Sequence, residues 1–249
     1  MARFGMVIDL DRCTGCRACM VACKVENNTP EGVFWMDLVR YEEGAYPVTK
    51  NWFMARPCNH CDNPPCVAVC PSKPKKTRYR RANGLVATDA DSCIGCRYCE
   101  KACPYGVNYF HTEDPKKNMY LDWDDKDLAK STNGASPAYK NPVFDTKIGK
   151  EKRKIAGSNH RPKVVDKCTF CVHRVEKGEQ PACAEGCPTS AITFGNLDEL
   201  TSDISKILQS KKSYRFLEKA GTKPKVYYVG GRQPGPNSIE VEKIQKKKA

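Results

Sequence analysis

Cys13-Thr14-Gly15-Cys16-Arg17-Ala18-Cys19-Met20-Val21-Ala22-Cys23 places three cysteines at three-residue steps and a fourth one step later. The same C-x2-C-x2-C-x3-C spacing returns at Cys93-Ile94-Gly95-Cys96-Arg97-Tyr98-Cys99-Glu100-Lys101-Ala102-Cys103, with Gly and Arg at matching positions. Two looser versions occur at Cys58-x2-Cys61-x4-Cys66-x3-Cys70 and Cys168-x2-Cys171-x11-Cys183-x3-Cys187. The last three groups each end on a proline: Pro71, Pro104 and Pro188. These four groups use all sixteen cysteines of the chain.

Each iron of a cubane cluster takes one thiolate. A tight loop with ligands three residues apart reaches three irons. The fourth cysteine, at the start of a helix, points away and ligates a neighbouring cluster, and a proline then turns the chain. Gly15 and Gly95 free the backbone to aim amide N–H groups at cluster sulfurs. Structural zinc uses two C-x2-C pairs and gives no reason for the triple run, the repetition or the Cys-Pro endings. A disulfide scaffold is usually a short secreted chain, whereas this one has 249 residues and is Lys-rich. The sequence thus predicts four [4Fe–4S] clusters.

The formal charge of +13 counts every cysteine as neutral. A [4Fe–4S] core of +2 with four thiolates is a site of −2. Four such sites remove eight of the thirteen charges and leave about +5, which weakens a nucleic-acid reading. No apolar run approaches the ~20 residues needed to span a bilayer. Neither a secretory signal nor a twin-Arg pair opens the sequence. The expectation is a chain soluble by itself, with any membrane link made through a partner.

Short strand-like runs flank the groups: Met6-Val7-Ile8, Trp52-Phe53-Met54, Leu85-Val86-Ala87, Val107 to Phe110, Val164-Val165 and Ala191 to Phe194. The repeating unit is strand, cysteine loop, short helix, strand, and two units make one bacterial-ferredoxin module. The expected fold class is α+β, with two ferredoxin-like modules. One occupies residues 1–35 plus 160–200 and the other residues 50–110. An irregular insertion covers 111–159, and a C-terminal extension at 201–249 docks on partners. Asp198 to Leu217 is expected to be helical, with Leu200, Ile204, Ile207 and Leu208 on one face.

Beyond the cysteine spacing, the stretches Cys58-Asn59-His60-Cys61-Asp62-Asn63-Pro64-Pro65-Cys66, Lys167-Cys168-Thr169-Phe170-Cys171-Val172-His173-Arg174 and Phe194-Gly195-Asn196-Leu197 carry a family likeness. The sequence resembles the four-cluster electron-transfer subunit of molybdenum or tungsten bis-pterin oxidoreductases of the dimethyl-sulfoxide-reductase superfamily. Gly5 to Asp9, Glu26 to Thr29 and Gly221 to Tyr228 place it nearest the polysulfide, thiosulfate, tetrathionate and arsenate reductase branch. One departure follows Cys70-Pro71, where relatives usually continue Thr-Gly-Ala and this chain reads Ser72-Lys73-Pro74.

The resemblance implies how ligands are shared. Cys13, Cys16, Cys19 and Cys187 hold one cluster; Cys23, Cys168, Cys171 and Cys183 a second. Cys58, Cys61, Cys66 and Cys103 hold a third; Cys70, Cys93, Cys96 and Cys99 a fourth. It also implies that the Cys13 cluster faces a bis-pterin catalytic subunit and the Cys70 cluster an integral membrane, quinone-interacting subunit. Some relatives carry Trp in place of Cys96 and hold a [3Fe–4S] cluster there; with Cys96 present, a full cubane is expected.

The implied function is to relay single electrons between those partners in a respiratory oxidoreductase. The alternatives are a wire subunit of another quinone-linked complex or a free polyferredoxin. Peripheral association through a partner fits either the cytoplasmic face or co-export to the periplasm. No nucleophile–base pair, phosphate loop or paired carboxylates support catalysis by this chain.

Several residues have two readings. His60 either donates toward a cluster or braces its loop. His173 and Arg174 either raise a potential, meet a partner or are solvated. Lys73 to Arg81 either meets an acidic surface or is solvated. Tyr98, Tyr105 and Tyr109 are expected to pack around a cluster.

Overall fold

The computed structural model describes residues 2–73, 76–114, 147–148, 151–152, 160–231, 233–234 and 239–240. Strand β1 (Phe4–Asp9) is central in a four-stranded sheet. It runs antiparallel to β10 (Ile192–Asn196), from Phe4↔Asn196 to Ile8↔Ile192. On its other side it runs parallel to β12 (Val226–Val229), which is bordered by β11 (Ser213–Tyr214). A central strand has two covered faces, so Met6, Val7 and Ile8 are all apolar and buried. Met6 and Ile8 join the main core. Val7 points to a small second core with Ile204 and Val229.

Strands β2 (Met36–Ala45) and β3 (Val48–Pro57) form a ten-pair antiparallel hairpin. In the sequence only Trp52-Phe53-Met54 signals a strand there, and the rest reads as a connection between the first two cysteine groups. The base of the hairpin is buried through Met36, Leu38, Val39, Met54 and Ala55, while Tyr46 and Val48 at the tip are exposed. Its outer edge is paired by β13 (Ile239–Glu240). Smaller pairs are β4 (Arg78–Arg80) with β5 (Val86–Thr88), β6 (Tyr109–Phe110) with β9 (Val165–Asp166), and β7 (Lys147–Ile148) with β8 (Glu151–Lys152). The helices are α1 (Ala18–Asn27), α2 (Pro65–Ala68), α3 (Tyr98–Lys101), α4 (Val172–Val175), α5 (Ala182–Glu185) and α6 (Asp203–Ser210). This mixture of helices and separate, mostly antiparallel sheets is an α+β fold.

The C-terminal helix is shorter than expected. Ser202 caps α6 by accepting from the Ser205 N–H, and Lys211 is already extended on the way to β11. Ile204, Ile207 and Leu208 pack inward, but Leu200 precedes the cap and is exposed. Most of the expected insertion at 111–159 lies outside the described residues. Its flanks are anchored together: His111 Nε2 and His160 Nδ1 stand 2.5 and 2.6 Å from the same Asp166 Oδ2, and the Trp35 indole donates to Oδ1 at 2.9 Å. His160 Nε2 donates to the Asn27 carbonyl at 2.8 Å.

Candidate iron–sulfur centres

The repeat seen in the sequence is repeated in the backbone. Gly15 and Arg17 have φ of 73° and 64°, and Gly95 and Arg97 have 69° and 63°. Two left-handed residues around the second cysteine curl each loop before its helix begins. The looser groups achieve the same turn at His60 (φ 42°) and at Phe170 and Cys171 (φ 55° and 48°). These curls turn amide N–H groups onto sulfur: His60 N–H donates to Cys58 Sγ at 3.5 Å and Phe170 N–H to Cys168 Sγ at 3.3 Å.

Thiols from different groups lie near one another. Cys13 and Cys19 both feel the charge of Cys16 and Cys187. Cys23 and Cys183 both feel that of Cys168 and Cys171. Cys58, Cys61, Cys66 and Cys103 line one hollow, and Cys70, Cys93, Cys96 and Cys99 line another.

Burial dominates the thiol energetics. It pushes Cys19, Cys61 and Cys168 up to about 12, and Cys23 and Cys183 well above the ordinary thiol value. Neighbouring thiols add to each shift. Acidic groups held apart from water in this way have no favourable ionised state without a cation to bind them. Cys70 and Cys187 differ. Burial acts to raise them too, but it is outweighed at Cys70 by the Arg78, Ser72 and Thr77 N–H groups with the Ser72 hydroxyl, and at Cys187 by the Thr189 hydroxyl with the Ala191, Thr189 and Ile192 N–H groups, so that both lie below the ordinary value. Ser72 and Thr189 hydroxyls lie 3.6 Å from those sulfurs. Cysteine spacing alone does not single out this pair; its signal in the sequence is a Ser or Thr two places after the last cysteine of a group, where the third group has Tyr105 and the first Val25.

An all-thiol donor set, four to a hollow and supported by N–H donors, suits iron–sulfur clusters and not harder cations. Known proteins agree. The family described as "4Fe-4S dicluster domain" matches residues 49–131 and 153–197, and the "4Fe-4S binding domain" matches residues 4–25. The arsenate respiratory reductase iron–sulfur subunit of Shewanella sp. (strain ANA-3) is 37% identical, over 91% of this chain and 96% of that protein. The chain belongs to the iron–sulfur subunits of the dimethyl-sulfoxide-reductase superfamily. The protein NrfC of Escherichia coli (strain K12) is 38% identical over 91% of this chain and 80% of its own length. The menaquinone reductase iron–sulfur cluster-binding subunit of Nitratidesulfovibrio vulgaris is 33% identical over 98% and 96%.

This iron–sulfur subunit carries [4Fe–4S] clusters, four by its sixteen cysteines, and transfers electrons. Each cluster supplies a one-electron couple. No described helix is long and apolar enough to cross a membrane.

The remaining sequence candidates divide. His60 is fully buried; its Nδ1 accepts the Val86 N–H at 3.0 Å, so Nε2 carries the proton and donates to the Cys168 carbonyl at 3.0 Å. Burial, then the charges of Lys167 and Lys225, keep the ring neutral. His60 is thus a brace between two cysteine loops. His173 is buried against Glu26, whereas Arg174 is half-buried and pairs with Glu26, Glu179 and Glu185, so that both residues join α4 to α1. Burial acts to raise Glu26, but the His173 hydrogen bond and the neighbouring His173 and Arg174 outweigh it and hold the carboxyl below its ordinary value.

The basic run is mostly spent internally. Lys76 bonds the Val67 and Ala68 carbonyls at the end of α2, Arg78 is buried, Arg80 bonds the Asp62 carbonyl and Arg81 pairs with Glu176; Pro74 and Lys75 lie outside the described residues. Tyr105 and Tyr109 are buried, with hydroxyls on Thr222 and the Phe34 carbonyl. Tyr98 is exposed instead of packed.

Proposed function

We propose that this chain relays single electrons between a molybdenum or tungsten bis-pterin catalytic subunit and a quinone-linked membrane subunit, through four clusters ligated by the four thiol sets. The observation that carries this reading is the gradient of exposure along the sets. Cys23, Cys168, Cys171 and Cys183 are all buried, as are Cys58, Cys61 and Cys66. At one extreme Cys16 is exposed and Cys13 and Cys187 are half-buried; at the other all four of Cys70, Cys93, Cys96 and Cys99 are half-buried.

Electrostatic neighbours support the order between the extremes. Cys19 acts on Cys23, Cys58 acts on Cys168, and Arg78 acts on both Cys66 and Cys99. Two more accessible termini, with one fully buried set and one buried except at Cys103 between them, suit a wire with two partners and not a free carrier that meets one partner at a time. The strand pairing supports two ferredoxin-like modules. β1, before the first cysteine group, pairs with β10, after the fourth. The β4–β5 hairpin lies between the second and third.

Each terminus also presents apolar side chains to solvent. Val21 is 53% exposed beside the first set, and Ile94 and Tyr98 are 69% and 53% exposed beside the last. By the family likeness, the first end faces the catalytic subunit and the last the membrane subunit. In the purified complex, Ile94→Glu should block reduction of the clusters by quinol while leaving reduction from the catalytic side intact. Val21→Glu should do the reverse. Iron content should be unchanged in both. Purification of a cluster-replete monomer with no large partner, or equal reduction of both variants from both sides, would overturn the assignment.

A further inference from the structure

Two cations are buried among the thiol sets without a carboxylate. Lys167 is 3% exposed, and its ammonium donates to the Val86 carbonyl at 2.6 Å and the Cys168 carbonyl at 3.0 Å. Arg78 is 1% exposed, and its guanidinium donates to Asn108 Oδ1 at 2.6 Å and the Val165 carbonyl at 3.0 Å. Its Nε is buried with no hydrogen-bond partner among the described residues. Neither forms an ion pair among the described residues, whereas buried Lys225 has Asp62 at 3.6 Å and buried Asp166 has two histidines.

A buried charge costs several kcal/mol unless an opposite charge compensates it, and dipoles of two carbonyls are a partial answer. The compensating anions are close at hand. Lys167 sits beside Cys168 in the chain and lines the hollow of Cys58, Cys61, Cys66 and Cys103. Arg78 lines the hollow of Cys70, Cys93, Cys96 and Cys99, and its charge also acts on Cys66 of the preceding set. A cubane with four thiolates carries −2 when oxidised and −3 when reduced.

We propose that Lys167 and Arg78 are shared counter-ions, each placed between two successive clusters: Lys167 between those of the Cys168 and Cys58 sets, Arg78 between those of the Cys58 and Cys70 sets. The inference rests on the ligand sets proposed above. A cation favours the more negative, reduced state, so each raises the potentials of two adjacent clusters together. Sharing one charge between neighbours shifts both potentials in the same direction and leaves the difference between them nearly unchanged. The Cys13 set lines neither hollow and is left to its own surroundings.

The test is an EPR-monitored redox titration of the whole complex. Lys167→Met should shift the reduced-to-oxidised ratio of the second and third clusters toward oxidised by about tenfold at fixed ambient potential, about 59 mV for a one-electron couple. The first and fourth should hold their potentials. Arg78→Gln should move the third and fourth and spare the first two. Lys167→Arg and Arg78→Lys, which keep the charge, should stay close to the parent.

If a neutral variant fails to assemble its two clusters while its charge-conserving counterpart assembles all four, the counter-ion role is supported. Unmoved potentials in replete neutral variants, a uniform shift of all four clusters, or equal effects of the neutral and charged replacements would overturn it. Iron and sulfide counts on the parent, with the Cys96 variant below, test the ligand sets separately.

Discussion

Gly95 offers a sharp test of how tightly the third cysteine loop is fitted. Its φ is +69°, and a Cβ there would stand 2.5 Å from the Lys163 carbonyl oxygen. That oxygen belongs to a segment held from two sides: Lys163 N–H donates to the His111 carbonyl at 2.6 Å, and His111 N–H donates to the Val164 carbonyl at 3.1 Å. Gly178 is the control, with φ +81° and nothing within 4 Å of where a methyl would stand. Gly178→Ala therefore carries only the left-handed penalty, about 1–2 kcal/mol. Gly95→Ala carries that penalty and must also displace backbone, straining hydrogen bonds worth about 1 kcal/mol each. A total of about 3–4 kcal/mol follows from these two costs together.

Cluster loss makes unfolding irreversible, so the readout is a rate. Under anaerobic denaturant, visible cluster absorbance should decay about tenfold or more faster in Gly95→Ala than in Gly178→Ala, because about 1.4 kcal/mol is a factor of ten. Purified Gly95→Ala should also be short of about four iron, those of the cluster its loop serves. Equal decay rates and full iron in both variants would refute the reasoning and show that the loop relaxes without cost.

The holo-chain should contain about sixteen iron and sixteen acid-labile sulfide; anaerobic preparations with clearly less, or with stoichiometric zinc, would contradict the cofactor. Cys96→Ser should yield one [3Fe–4S] centre per chain by EPR of the oxidised protein and leave three cubanes intact; simultaneous loss of two clusters would refute the cross-ligated sets. Burial acts to lower the His111 pKa, but the Asp166 carboxylate outweighs it and holds the imidazole above its ordinary value of about 6.5. Its stabilisation is then complete below about 6.5 and lost as pH rises through the folded value. The stability margin of the parent over His111→Gln should therefore shrink as pH rises from about 6 to about 9, and a constant margin would argue against the charged pair. Removal of iron should leave a chain without dispersed amide NMR signals, since Cys19, Cys23, Cys58, Cys61, Cys168 and Cys183 are all part of the main buried core.

The cofactor was legible in the sequence because cluster chemistry is written in local spacing. A C-x2-C-x2-C loop can reach three irons whatever the rest of the chain does, and Gly15 and Gly95 announce left-handed turns that the backbone then shows. The strand-like runs beside the loops were legible for the same local reason. The helix from Asp198 is shorter than its apolar periodicity implies because a cap at Ser202 competes with that periodicity.

Packing between distant segments decided the rest. Cys23 meets Cys171, and Glu26 meets His173 and Arg174, only because α1 packs on the segment of α4 and α5. In the sequence Arg78 is one member of the basic run Lys73 to Arg81, and Lys167 opens a stretch that carries the family likeness. Their burial, without a carboxylate partner among the described residues, emerges once β4, β5 and β9 come together. His111 and His160, on either side of a long insertion, converge on Asp166 for the same reason. Ligand type and spacing are properties of a few consecutive residues. Charge compensation belongs to the folded interior, where low polarity makes each unpaired group find its counterpart across the chain.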